Sequence, residues 1–288
     1  MSFPADSPII DTFIGFREAG GGEYDFITAQ TKDRESKEEF SFPAQYMFTD
    51  VPHDLPTDDP VSVTLREMDA HGISIGMVSV STASGRRAVA THPDRFVPLG
   101  SAVDPHDIMG TLARMRREHE QFGIRSVSSF AAGTFPQVAL NAPQMYPIYA
   151  TCVELGIPIF ACVGVPGPRV RMAPQHVELI DDVMFDFPDL VFVTRHGGEP
   201  WQDLLVKLLL KWPNLYFSTS AFAPRHYPQA IVDYANTRGA DKILYAGYFP
   251  AGLSLERIAA ELPGVGFRAE VWPKFLHLNA RKVLKLDA

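Results

Sequence analysis

The stretch Val191-Phe192-Val193-Thr194-Arg195-His196-Gly197-Gly198-Glu199-Pro200-Trp201 concentrates the chemistry this chain has to offer. An apolar run of strand character ends in His196, two glycines follow, and a helix opens at Pro200, whose ring suits a first helical turn. An imidazole titrates near neutrality and can move protons without a metal, so His196 is the first candidate acid or base. A packed, hydrogen-bonded histidine is the plainer alternative. Glu199 would either orient that imidazole or favour the start of the next helix through its charge. Cys162 ends an earlier apolar run, and a thiol beside an imidazole makes an activated nucleophile, although cysteine also serves as a small buried apolar residue. It is followed by Gly164-Val165-Pro166-Gly167-Pro168-Arg169-Val170-Arg171, a stiff loop whose two guanidinium groups suit a carboxylate or phosphate. Arg86-Arg87 is a similar pair, and surface pairing with the chain's many acids is the alternative for both. Ser79, Ser81, Ser128 and Ser218 also fall near strand ends, a placement too common to single them out.

These residues need elements to position them. Short apolar runs predict strands at 8–14, 73–80, 97–103, 124–130, 157–163, 190–195, 214–219 and 243–247. Helical spacing predicts helices near 61–71, 84–92, 105–121, 143–155, 175–187, 200–212, 225–238 and 253–262, with a last one over about 270–285. Turn residues such as His71-Gly72, Phe122-Gly123 and Gly156-Ile157-Pro158 stand before several strands. Alternating strands and helices imply parallel pairing with the helices outside, and eight units favour closure into one (β/α)8 TIM barrel of the α/β class over 1–288. In such a barrel the loops after the strands build the site, which is where His196 and Cys162 fall. An open doubly wound sheet is the runner-up. It lacks its phosphate turn here, because Asp11-Thr12-Phe13-Ile14-Gly15-Phe16 is not glycine-rich. The irregular excursion from 17 to 60, with Gly20-Gly21-Gly22, a charged run at 32–39 and six aromatics, is long enough to need a purpose as a lid over the mouth or as a subunit contact.

Composition narrows the partners. Lys and Arg number 26 against 34 Asp and Glu, a net charge of -8 without a basic block, which argues against a nucleic-acid surface. No apolar run approaches the roughly 18 residues of a membrane span, and the N-terminus has no signal-peptide pattern, so a cytoplasmic protein is expected. Two cysteines, Cys152 and Cys162, make no disulfide framework and no zinc-binding spacing.

With these elements laid out, the chain resembles the amidohydrolase-related family of (β/α)8 barrels that includes aminocarboxymuconate-semialdehyde decarboxylase and the dihydroxybenzoate decarboxylases. The resemblance rests on Ile9-Ile10-Asp11-Thr12-Phe13-Ile14-Gly15-Phe16 for the first strand and on Ile157-Pro158-Ile159-Phe160-Ala161-Cys162-Val163-Gly164 for the fifth. His196-Gly197-Gly198 with Pro200-Trp201 matches the sixth, Tyr234 to Pro250 the eighth, and Asn279-Ala280-Arg281 the C-terminal region. The family holds a divalent metal with a His-x-His pair, a fifth-strand histidine and an eighth-strand aspartate. Those four positions are Phe13, Gly15, Cys162 and Tyr248 here. Phenylalanine and glycine offer no ligand atom, and a zinc site needs three or four ligands, so no metal and no other cofactor is expected. A metal kept by substitute ligands would require Asp11 or Glu199 to converge on Cys162 and His196.

By the same resemblance, His196 matches a histidine that assists as acid or base rather than as a ligand. Phe13 and Tyr248 would fill the vacated space with apolar bulk, which would depress the pKa of His196. The Tyr248 hydroxyl would polarise a substrate carbonyl, or simply be hydrogen-bonded in the filled cavity. The expected catalytic residues are therefore His196, Tyr248 and Cys162, with Phe13, Arg169, Glu199 and Trp201 against the substrate. The function this implies is a metal-independent hydrolase or carboxy-lyase acting on a small carboxylated or carbonyl compound, anionic if the arginines are used. The rival is a catalytically inactive barrel that binds a ligand or partner. The resemblance also suggests a homodimer.

Overall fold

The structure, a computed structural model, describes residues 3–18, 24–40, 42–49, 51–52 and 54–287. Gly20-Gly21-Gly22 lies outside the described residues. Eight strands run in sequence order through one parallel sheet: β1 (Ile9–Asp11), β2 (Ile73–Ser79), β3 (Phe96–Ala102), β4 (Ser126–Ser129), β5 (Ile159–Cys162), β6 (Phe192–Arg195), β7 (Leu215–Ser218) and β8 (Ile243–Leu244). The chain just beyond β1 joins the chain beyond β8. The Thr12 amide and hydroxyl both donate to the Tyr245 carbonyl at 3.2 and 2.8 Å, and the Gly15 amide donates to the Phe249 carbonyl at 2.9 Å. The sheet therefore closes into the expected barrel.

Several strands are shorter than their apolar runs, for a local reason. Asp11 folds its carboxylate back so that Oδ1 accepts the Phe13 amide at 2.9 Å, a turn that ends β1 where periodicity alone would carry it to 14. β8 stops early because side chains take the next amides: Ala246 donates to Thr219 Oγ1 at 3.2 Å and Gly247 to Asp11 Oδ1 at 2.9 Å. The flanking helices fall close to expectation at Pro60–Ala70, Ala83–Thr91, Ile108–Phe122, Tyr146–Leu155, Leu179–Asp186, Gln202–Lys211, Gln229–Tyr234 and Leu255–Glu261. Thr82, Asp107 and Ser254 begin three of them by accepting an amide of the first turn. The helix predicted from 175 begins at Leu179, because His176 is extended.

Two layers of core follow from strand alternation. One face of seven of the strands, all but β4, fills the barrel with Ile10, Met77, Val97, Leu99, Phe160, Val193, Tyr216 and Leu244. Ala280, Val283 and Leu284 of the C-terminal helix Asn279–Leu284 join this inner cluster and plug one end of it. The other face packs outwards on Met68, Met115, Ile148, Val183, Leu205 and Ile231 of the surrounding helices. The excursion is not structureless: it holds short helices at Asp25–Thr28 and Arg34–Glu38 and a helical turn at Gln45–Met47, with Ile27 and Phe42 buried. Among the described residues no helix is long and apolar enough to cross a membrane.

Candidate functional site

Strands β5 and β6 deliver the first two groups. Residues two apart on a strand share a face, so Cys162 follows Phe160, and Arg195 follows Val193, onto the inside of the barrel. Register pairs Cys162 with Arg195. A guanidinium thus caps the inner core opposite a thiol. Arg195 is only 4% exposed and lies over the rings of Phe13 and Phe160, at 4.4 and 5.1 Å from their centroids. Its Nε and Nη2 are buried without a hydrogen-bond partner. Burial draws its pKa down to about 10, so it remains a cation at neutral pH. Sequence reasoning passed over this residue as part of the strand leading to His196. Its signal was parity with Val193, a charge on the inward face of an apolar strand.

His196 takes the next position and leaves the strand at φ 64°, followed by Gly197 and Gly198 at 80° and 69°. Three left-handed residues in a row turn the chain sharply, and two of them are glycines for that reason. Ser220, fully buried after β7, holds the histidine from both sides. Its Oγ accepts the His196 amide at 3.2 Å and lies 3.2 Å from Nδ1. The hydroxyl can donate to Nδ1 or accept from it, according to the ring tautomer. Burial, then the Arg195 charge, push the imidazole pKa down to about 3 against a smaller opposing effect of Ser220. The ring is neutral at physiological pH, the direction expected from apolar surroundings. Ser220 was missed because one serine near a strand end carries no distinguishing pattern.

An aromatic stack forms the facing wall. Phe13 stacks on Tyr248 at 5.0 Å, Tyr248 on Phe48 of the excursion at 5.6 Å, and His196 meets Phe13 and Tyr248 edge-on at 5.7 and 5.3 Å. The Asp11 carboxylate sets this wall, because its Oδ1 fixes the amides of both Phe13 and Gly247. Gly247 is needed there: a Cβ would stand 2.6 Å from Asp11 Oδ2. That second oxygen has no partner, and burial pushes the Asp11 pKa up to about 6. The groups enclose a cavity of about 800 Å³, whose walls also include Tyr24, Phe42, Ser128, Gln175 and Glu199.

The remaining expectations divide. Cys162 reaches the cavity, but burial raises its thiol pKa to about 11 and no hydrogen bond joins it to His196 among the described residues. The activated dyad is not formed. Glu199 lines the cavity without a hydrogen bond to His196. Arg169, expected to meet substrate, instead binds the excursion: it pairs with Asp33 at 2.7 Å and Glu35 at 2.8 Å, with Phe40 and Tyr46 against its guanidinium. Trp201 is likewise turned away, its ring 3.9 Å from that of His176. Arg86 binds the carbonyls of Val80 and Ser81, and Arg87 pairs with Asp59.

A divalent metal does not fit these residues. Phe13 and Tyr248, two of the four positions where the resemblance expects ligands, stack on each other, the Arg195 cation lies over Phe13, and among the described residues no three His, Cys, Asp or Glu side chains gather. Asp11 spends one oxygen on backbone amides, and neither it nor Glu199 converges on Cys162 and His196.

A family model described as Amidohydrolase matches residues 27–286. No curated protein matches the chain. Among solved structures, an uncharacterised TIM-barrel protein from Bordetella bronchiseptica is 23% identical, with a TM-score of 0.72, covering 96% of this chain and 98% of that one. A 5-carboxyvanillate decarboxylase from Novosphingobium aromaticivorans, complexed with manganese and 4-hydroxy-3-methoxy-5-nitrobenzoic acid, is 17% identical with a TM-score of 0.69, covering 98% and 97%. A 2,6-dihydroxybenzoate decarboxylase from Rhizobium is 16% identical with a TM-score of 0.63, covering 98% and 99%. At these identities the likeness is one of fold.

Proposed function

The chain belongs to the amidohydrolase family, and from that premise we propose that it is a metal-independent carboxy-lyase acting on a small carboxylated or carbonyl compound, with His196 as acid and base. The observation that carries this reading is an imidazole held by Ser220 in the wall of an aromatic cavity, next to the buried Arg195 cation. Such an imidazole can take a proton from a substrate hydroxyl or enol and return it to the carbon that loses CO2. The balance is R–CO2⁻ plus one proton from solvent giving R–H and CO2, the electron pair of the broken C–C bond ending in the new C–H bond. Arg195 stabilises negative charge as it builds up in the substrate. Tyr248 and Phe13 supply a flat apolar wall, and the excursion acts as a lid that keeps water out. A hydrolase is the weaker reading, because hydrolysis needs an activated water or nucleophile, and burial holds the Cys162 thiol protonated. The setting expected for this enzyme is a cytoplasmic homodimer.

One observation favours a second reading, ligand binding without turnover: the burial that keeps His196 neutral also makes it a weak base. A screen of aromatic and enol carboxylates for CO2 release separates the two. Turnover in the wild type should fall about 10²–10⁴-fold in His196→Asn, the usual loss for a positioned acid–base, and stay within a small factor in Cys162→Ser. Full turnover in His196→Asn would remove the acid–base assignment. Equal loss in both variants, with folding intact, would favour the Cys–His dyad. Binding of several acids without CO2 release from any would favour the second reading.

A further inference from the structure

We propose that a second cavity, the groove between the excursion and the loops after β4 and β5, binds an adenine nucleotide, with its phosphate on Lys32 and Arg171 and its base on Phe135. The proposal is independent of the mouth cavity, with which the groove shares no lining residue. The groove encloses about 920 Å³. Its charge is opposite to that of the chain. The protein carries a net charge of -8, yet among the described residues the groove is lined by Lys32, Arg169 and Arg171 and by no Asp or Glu. Asp33 and Glu35 neutralise Arg169. Lys32 and Arg171 have no acid partner among the described residues. Two unpaired cations in one concave wall attract an anion, and a phosphate monoester has the charge and the oxygens to meet both.

The neutral residues of the groove say what the phosphate is attached to. Gln30 Nε2 donates to the Phe26 and Gly133 carbonyls at 2.8 and 2.6 Å, and Gln137 Nε2 to the Ala132 and Arg171 carbonyls at 2.8 and 2.9 Å. A backbone carbonyl can only accept, so both amide nitrogens are spent and each side chain keeps its oxygen for a ligand. Two acceptors call for N–H donors, which a phosphate does not supply. Phe135 adds a flat apolar face, 78% exposed on the wall of the groove. A planar ring with an amino group meets all three, lying on Phe135 while its N–H bonds reach the amide oxygens. Adenine on a phosphorylated sugar is such a ligand. Gln30 and Lys32 belong to the excursion, Phe135 and Gln137 follow β4, and Arg171 follows β5. A nucleotide that bridges them therefore ties the excursion to the barrel.

AMP is the probe, with IMP, adenosine and inorganic phosphate as controls. Calorimetric titration of the full-length protein should show one AMP per chain, bound about 10-fold more weakly by each of Lys32→Met, Arg171→Met and Phe135→Ala. All three side chains are exposed, so the variants should melt as the wild type does. IMP replaces the amine with a carbonyl and sets an acceptor against acceptors, which should weaken binding about 10-fold. Adenosine should also bind more weakly than AMP. AMP should slow hydrogen exchange over residues 24–40 and 131–137. His196→Asn should bind AMP as the wild type does, so a failure of the proposed catalysis leaves this test standing. No binding of AMP, or binding untouched by the three substitutions, would overturn the proposal. So would loss of binding in His196→Asn, which would place the nucleotide in the mouth cavity. IMP binding as tightly as AMP would overturn the assignment of adenine, and inorganic phosphate competing as well as AMP would overturn that of a nucleotide.

Discussion

Burial acts on two titratable residues of this site in opposite senses. His196 loses its proton readily, and Asp11 holds on to one, with a pKa pushed up to about 6 from 3.8. A carboxyl whose folded pKa lies above its unfolded value stabilises the fold below about pH 4, and that contribution is lost as pH rises through 6. His196 adds the reverse slope, since its folded pKa of about 3 lies below the free value of 6.5: stability is present above 6.5 and lost as pH falls towards 3. Asp11→Asn isolates the first effect, for an amide oxygen can still accept the amides of Phe13 and Gly247 but never ionises. Relative to wild type, the variant should gain stability between pH 4 and pH 7 by up to about 3 kcal/mol, roughly 2 pKa units at 1.36 kcal/mol each. Denaturant unfolding of both proteins at the two pH values measures it. A difference that does not change with pH would show that Asp11 is ionised throughout.

At the scale of elements, the barrel strands were legible because apolar runs bounded by turns have few other uses in a chain of this length. Their ends were not, since Asp11 and Thr219 divert amides from the ladder through side-chain bonds that no periodicity encodes. The site was legible in part for the same reason. His196, Tyr248 and Cys162 stand where the strand ends predict, all on the cavity. Arg195 was hidden within a strand, and the destination of Arg169 depended on where a distant acidic segment would fold. That destination makes a prediction for the excursion. Arg169 joins Asp33 and Glu35 to the loop after β5, and the Tyr46 hydroxyl donates to the Gly167 carbonyl at 2.7 Å. Arg169→Ala should speed hydrogen exchange over residues 24–49 several-fold while leaving β5 and β6 unchanged. Global stability should move little, because exposed ion pairs of this kind contribute about 0–1 kcal/mol. Unchanged exchange over 24–49 would mean that the aromatic packing alone holds the segment.

The whole molecule keeps a family barrel while altering what sits at its mouth. One end is filled by Val283 and Leu284, which join the inner cluster. The resemblance expects ligands at Phe13, Gly15, Cys162 and Tyr248, and at this mouth the buried guanidinium of Arg195 lies over the Phe13 ring. The account's central claim is that this chain carries out its chemistry without a bound divalent ion. Elemental analysis tests it most directly, on protein equilibrated with zinc and manganese and then dialysed against a chelator. The account predicts metal far below one ion per chain in that sample, with turnover or ligand binding unchanged by the treatment. Close to one ion of zinc or manganese per chain, surviving dialysis and needed for activity, would contradict it.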